Sequence, residues 1–233
     1  MITLTVQAVG QFLMLLYEPN GVELFAITSI LVTLAAIPIA LSTSPAPYID
    51  QNTSFDLKKL YKISPAAVIG CLFIGLANGS FWSLAPIFIS DVFADISFTA
   101  YFMTAVIVGG AIFQWPIGYL SDKIGRRKIT IITAAFSATI SFLIVSMIDT
   151  LNLSGLIITG IFWGGLTFPL YAVTVAHAND NAEPKEFVMV SSSLLLMYGL
   201  GAIIGPIISS GLMSYTKSSG LFLFTGIAHL ILA

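Results

Sequence analysis

From Pro65 to Ser90 the chain carries no Asp, Glu, Lys or Arg, and comparable uncharged apolar runs recur along its whole length. Water cannot wet such a surface. A backbone cut off from water must satisfy its own N–H and C=O groups, which makes the α-helix the natural element for these runs. Only 9% of the 233 residues are charged, against about 25% in a soluble domain. With 57% hydrophobic residues and a mean hydropathy of +0.98, lipid is the expected solvent. No basic run is long enough to suggest a nucleic-acid partner. The one cysteine, Cys71, excludes an internal disulfide framework and any multi-cysteine metal site. It reads as a small packed apolar residue.

A transmembrane helix needs about 20 mainly apolar residues. The sequence predicts an all-α, polytopic bundle with eight such candidates, at 2–17, 21–41, 65–90, 96–120, 129–147, 153–176, 187–213 and 219–233. Pro38, Pro86, Pro116, Pro169 and Pro206 fall inside them. Neighbouring helices in a membrane can satisfy the carbonyls that proline frees. Both end spans look cut. The last stops at Ala233 with no polar flank, and Met1 opens the first without a signal-peptide n-region.

Basic residues set the expected topology. Lys58, Lys59 and Lys62 lie in the loop at 42–64, Lys123, Arg126, Arg127 and Lys128 in that at 121–128, and Lys185 in that at 177–186. These alternate loops hold all of the 9 Lys and Arg except Lys217. Glu18, Asp91, Asp95 and Asp149 occupy the other set. The positive-inside rule makes the basic loops cytoplasmic and the protein a multi-pass protein of the cytoplasmic membrane. The segment 43–64 reads as a cytoplasmic linker, with a short surface helix around 56–61, between two spans before it and six after it.

Gly118-Tyr119-Leu120-Ser121-Asp122-Lys123-Ile124-Gly125-Arg126-Arg127-Lys128 closes the fourth span. Gly118 is expected to let helix backbones approach. Gly125 is expected to permit a left-handed turn. Asp122 can meet a helix N-terminus or Arg126. The run resembles the loop signature of the major facilitator superfamily. Phe113–Gly118, Phe168–Tyr171 with His177–Asp180, Val6–Gln11 and the stretch 194–206 with Tyr198, Gly201, Gly205 and Pro206 are similar to its YcaD-like branch. The resemblance implies that this is the second copy of the signature. Residues 1–42 would then hold helices five and six, 43–64 the central linker, and 65–233 a C-terminal six-helix bundle with its last helix cut short. Residues 110–117 and 201–207 also echo one another, as the nested inverted repeats of such transporters would produce.

That assignment places the third and sixth spans against a substrate cavity. Thr159, Trp163, Thr167, Tyr171 and Thr174 form one polar stripe at helical spacing on the sixth span. Asn78 and Trp82 share a face of the third, and Gln114 is a lone amide in the fourth. Aromatic, amide and hydroxyl groups suit a small organic solute. Interfacial anchoring and hydroxyl bonding to the helix's own carbonyls are the competing uses of the same residues. No charge lies mid-span, so a coupling proton would titrate elsewhere, with His177 and Asp180 as the local titratable pair. Glycine faces at 109, 110, 199, 201 and 205 are expected to give close sliding contact. No HExxH, GxSxG, mid-membrane acidic pair or Cys–His cluster points to an enzyme, and nothing implies a cofactor. The reading is secondary transport of a small solute by alternating access, as part of a longer protein. The alternatives are a non-transporting membrane protein (a sensor or an assembly partner) or an inactive fragment.

Overall fold

The structure, a computed structural model, describes residues 2–17, 21–42, 56–93, 97–150 and 152–233. Nine α-helices follow in order among the described residues. They are α1 (Ile2–Gln11), α2 (Glu23–Ala40), α3 (Leu57–Ile63), α4 (Pro65–Val92), α5 (Ser97–Ile124), α6 (Arg126–Met147), α7 (Leu153–Asn179), α8 (Phe187–Thr216) and α9 (Gly220–Leu232). The 43–55 part of the expected linker, with Glu18 and Asp95, lies outside the described residues.

Local chemistry sets the boundaries. The Ser64 hydroxyl accepts from Ala67 N–H and Pro65 occupies the first turn, so α4 starts there. Asn152 Oδ1 accepts from Gly155 N–H and caps α7. Helices α4 and α5, at 28 residues each, are about 42 Å long at 1.5 Å per residue and exceed a core of about 30 Å. Among the described residues, five helical segments are long and apolar enough to cross a membrane. The first predicted span is corrected: its α-helix covers Ile2–Gln11 and tightens into a 3-10 turn at Phe12–Leu15. Gly10 weakens the helix there, and the Glu18–Pro19 pair ends the apolar run. The prolines inside α2, α4, α5, α7 and α8 leave each helix continuous.

Helices α4 to α9 form one bundle with an internal two-fold pattern. The most extensive crossings are α4 on α8 and α5 on α7, followed by α6 on α9, α6 on α7 and α4 on α9. Exchanging α4, α5 and α6 for α7, α8 and α9 maps this set onto itself. Lipid tails supply no hydrophobic drive between helices, so close backbone approach has to hold such a bundle. Glycine provides it at both leading crossings. Gly201 and Gly205 of α8 lie against the backbone of Leu72 and Leu76, and Gly109 and Gly164 do the same between α5 and α7. Gly110 packs on the Phe168 ring. These glycines fasten helices within one bundle instead of providing a sliding face. Gly199 differs: a Cβ there would meet nothing within 4 Å. Phe81, Phe88, Phe102, Trp163 and Phe222, all without exposure, fill the interior between the crossings.

The expected surface helix at 56–61 is α3, capped by Asp56, whose Oδ1 accepts from Lys59 N–H. It does more than lie on a surface. Leu60 is wholly buried among Val68, Cys71, Met189, Val190 and Leu194. Lys59 Nζ also sits 2.5 Å from Glu186 Oε1, between α7 and α8. That pairing, and the Glu183 N–H bonded to its other oxygen, hold the Glu186 carboxyl below its ordinary range. Helix α1 packs on α5. Much of α2 is exposed, Phe25 and Val32 most of all.

Candidate functional site

The signature turn is tighter than the sequence reading gave. Helix α5 runs through Asp122 and Lys123 to Ile124, and α6 starts at Arg126, so Gly125 alone connects them. Its φ of 109° is a backbone conformation that side chains of L-residues rarely adopt. Reversing two helices across one residue brings Arg126 between two carboxylates. Arg126 Nη1 lies 3.1 Å from Asp122 Oδ1, one turn back, and Nε donates to Asp180 Oδ2 at 2.5 Å, at the end of α7. Two expectations are corrected here. Asp180 is paired with Arg126 and not with His177. Gly118 does not sit at a helix crossing, since a Cβ there would meet nothing within 4 Å. Its carbonyl instead accepts from the Ser121 hydroxyl at 2.7 Å. Arg127 and His177 face a separate cavity of about 240 Å³, with Thr174 at its wall.

A second cavity, of about 330 Å³, opens between α4, α7 and α8. Asn78 and Trp82 line it from α4, Phe168 and Tyr171 from α7, and Tyr198 from α8. Leu4 of α1 closes one edge. Asn78 lies 13 residues from Pro65 and 14 from Val92, so about 20 Å of helix separates it from either end. Trp82 and Phe168 stack at 5.5 Å with 17° between their planes, and Tyr171 meets Tyr198 edge-on at 5.1 Å. Asn78 is 5% exposed and its Oδ1 has no hydrogen-bond partner. Among the described residues no charged side chain lines this cavity.

Of the polar stripe on α7, only Tyr171 faces this space. Thr159, Trp163, Thr167 and Thr174 are buried. Thr159 Oγ1 donates to its own helix, to the carbonyls of Gly155 and Leu156. Trp163 Nε1 donates to Ser141 Oγ at 2.8 Å, and Thr167 Oγ1 lies 2.7 Å from Ser137 Oγ, both on α6. Trp163 and Thr167 thus join α7 to α6, Thr159 bonds only its own helix, and Thr174 Oγ1 has no partner. His229 of α9 completes that network, with Nδ1 3.3 Å from Ser137 Oγ and the ring edge-on to Trp163. Its role was not legible in the sequence, because its partners lie on other helices. Gln114 of α5 holds a buried Oε1 without a partner and is not among the residues lining this cavity. Among the described residues no group of three or more His, Cys, Asp or Glu side chains is placed to hold a metal ion.

Charged connections gather at the two ends of the bundle. Lys59 with Glu186, and Arg126 with Asp122 and Asp180, occupy one end. Asp91, Asp149 and Lys217 line a common hollow at the other, where Ser218 Oγ donates to Asp91 Oδ2 at 3.0 Å.

Membrane-length helices, a one-residue hairpin carrying Asp and Arg, and an internal two-fold pattern define a multi-pass helical-bundle protein of the transporter type. The family model for the Major Facilitator Superfamily matches residues 67–233, and the chain belongs to that superfamily. It is similar to proteins named uncharacterized MFS-type transporter YcaD from Shigella flexneri serotype 5b and from Escherichia coli strain K12 / DH10B. Each is 27% identical over 221 residues, covering 92% of this chain and 56% of the relative. The chain thus spans about half the length of the curated relatives it matches. Its family points to a transporter rather than an enzyme.

Proposed function

We infer that the protein containing this chain carries a small solute across a membrane by alternating access, with its site in the cavity between α4, α7 and α8. The observation that supports this most is the depth of the cavity. Asn78 stands about halfway along a membrane-length helix, where a site must lie to be reached from each face in turn. On this reading residues 1–42 belong to an N-terminal bundle, 43–64 link the halves, and 65–233 belong to a C-terminal bundle that moves as a body. The end bearing Lys59, Arg126 and Lys185 is the cytoplasmic one. A coupling proton, if one is used, titrates on a group outside the cavity wall supplied here.

The test is a Leu195→Cys substitution at the cavity edge, with Cys71 replaced by serine, in the whole protein. Alternating access predicts modification by impermeant thiol reagents added from either side, with solute shifting the balance between the two. Modification from one side only, under every condition, refutes the mechanism.

A further inference from the structure

Resting on that reading of the site, we propose that this cavity takes an uncharged planar ring bearing an N–H or O–H donor, and that the donor is received by Asn78 Oδ1. Three observations combine.

The first is shape. The walls are flat and stiff. Trp82 is held against Phe168 with 17° between the rings, and Phe81 packs edge-on to Trp82 at 5.6 Å. Tyr171 and Tyr198 fix one another in the same manner. Aromatic side chains preset in this way lose little freedom when a flat molecule slides between them, and they reward planar contact above aliphatic contact. The volume, about 330 Å³, lies at the small end of the range for organic ligands and suits one or two fused rings.

The second is the orphan acceptor. Asn78 Oδ1 is buried and unbonded, and an unsatisfied buried acceptor carries the full desolvation penalty of its group. Trp82, Tyr171 and Tyr198 carry the other polar groups that line the cavity, and none of them bonds it. A ligand N–H or O–H supplies the missing bond.

The third is charge. Among the described residues no Asp, Glu, Lys, Arg or His lines the cavity. An ion held at mid-membrane without a counter-charge would lose its hydration unreplaced. This wall offers an ion no such counter-charge, so on this side of the site a neutral ring is the better fit.

Four probes separate these elements: indole (planar, neutral, one N–H), N-methylindole (the same ring without the donor), indoleacetate (an anion) and tryptamine (a cation). Binding is measured by calorimetry on the whole protein in lipid nanodiscs, with empty nanodiscs subtracted. Indole is expected to bind about tenfold more tightly than N-methylindole, the ratio that one satisfied buried acceptor supplies. Both charged congeners are expected to bind more weakly than indole. Asn78→Leu should bring the indole to N-methylindole ratio close to one. Trp82→Leu should weaken both rings while leaving their ratio intact, which keeps the inference testable if the Asn78 variant does not fold. Equal binding of the two neutral rings, tighter binding of either ion, a ratio that survives Asn78→Leu, or no binding by any probe overturns it. The Leu195→Cys accessibility measurement separates the two levels. Access from both faces with a preference for an ion leaves transport standing and removes the ring chemistry. Access from one face with the expected ratios does the reverse.

Discussion

Two glycines two residues apart on α8 should answer oppositely to the same substitution. An alanine Cβ at Gly201 would fall 2.7 Å from Leu76 N and closer still to the Leu72 carbonyl, where ordinary contact begins near 3.4 Å. Helix α8 must therefore retreat from α4 by at least about 0.7 Å, the difference between those distances. A gap of that size forfeits roughly a quarter to a half of each contact, worth about 0.1–0.2 kcal/mol. A crossing with on the order of 50 such atom pairs loses about 3 kcal/mol. Removing glycine from a helix interior returns about 1 kcal/mol. The net for Gly201→Ala is about 2 kcal/mol of destabilisation. At Gly199 a Cβ meets nothing within 4 Å, so Gly199→Ala keeps only the gain. Cys71, buried without exposure on α4, is a built-in reporter: a thiol-reactive fluorophore reads its release on heating. With about 1 kcal/mol moving Tm by roughly 2–4 °C at this size, Gly201→Ala should melt about 4–8 °C below the parent and Gly199→Ala slightly above it. A Gly201→Ala protein that melts at or above the parent temperature would refute the claim that backbone contact holds the α4–α8 crossing.

Three further outcomes follow from the charged end of the bundle and from α3. Asp122→Asn and Arg126→Gln should slow solute cycling in the whole protein with little change in surface expression or Tm, because the Arg126 pairs are partly exposed and worth under about 1 kcal/mol; undiminished transport would remove the signature turn from the mechanism. Leu60→Ala empties a fully buried position and should cost about 2–3 kcal/mol, read as faster tryptic cleavage after Lys58, Lys59 and Lys62, whereas an unchanged cleavage rate would mean that α3 is not held by that side chain. The Glu186 carboxyl is held low chiefly by Lys59, so its contribution is present above the ordinary carboxylate range and is lost as pH falls through the lowered value. Protection factors of α3 amides, corrected for intrinsic exchange, should drop as pH falls below the ordinary carboxylate range, and Lys59→Ala should abolish that step; a step that persists in the variant would point to another carboxylate.

The helices were legible wherever a single segment carried its own evidence. The uncharged run from Pro65 and the Ser64-Pro65 start marked α4 to within a turn, and the glycine, acid and bases at 118–128 marked the reversal. Sequence could not tell that α5 and α6 extend into that run until only Gly125 remains, because Asp is a poor helix former and Asp122 at the end of α5 and Arg126 to Lys128 at the start of α6 oppose the helix dipole, so local preference points to a loop. The cavity was legible in part. Asn78, Trp82 and Tyr171 were found from the family resemblance and their polarity, while Phe168 and Tyr198 join them only through packing. The stripe from Thr159 to Thr174 misled for a physical reason: a buried helix contacts neighbours on every side, so spacing shows that residues share a face but not which neighbour that face meets. Trp163 and Thr167 turn out to meet α6. His229 bonds to Ser137, 92 residues away, a pairing that no periodicity within one helix encodes.

The single-residue joint at Gly125 also bears on how the chain sits in a bilayer. Helices of 28 and 22 residues on either side of one residue leave no slack for Lys123, Arg126, Arg127 and Lys128 to be drawn to opposite faces of a bilayer. The four bases stay together on whichever face holds the joint. Inserting a few flexible residues after Gly125 would leave both helices their own apolar length yet let Arg126 drift from its carboxylates. The turn thus ties the sidedness of the bases to the same residue that aims Arg126 at its two carboxylates.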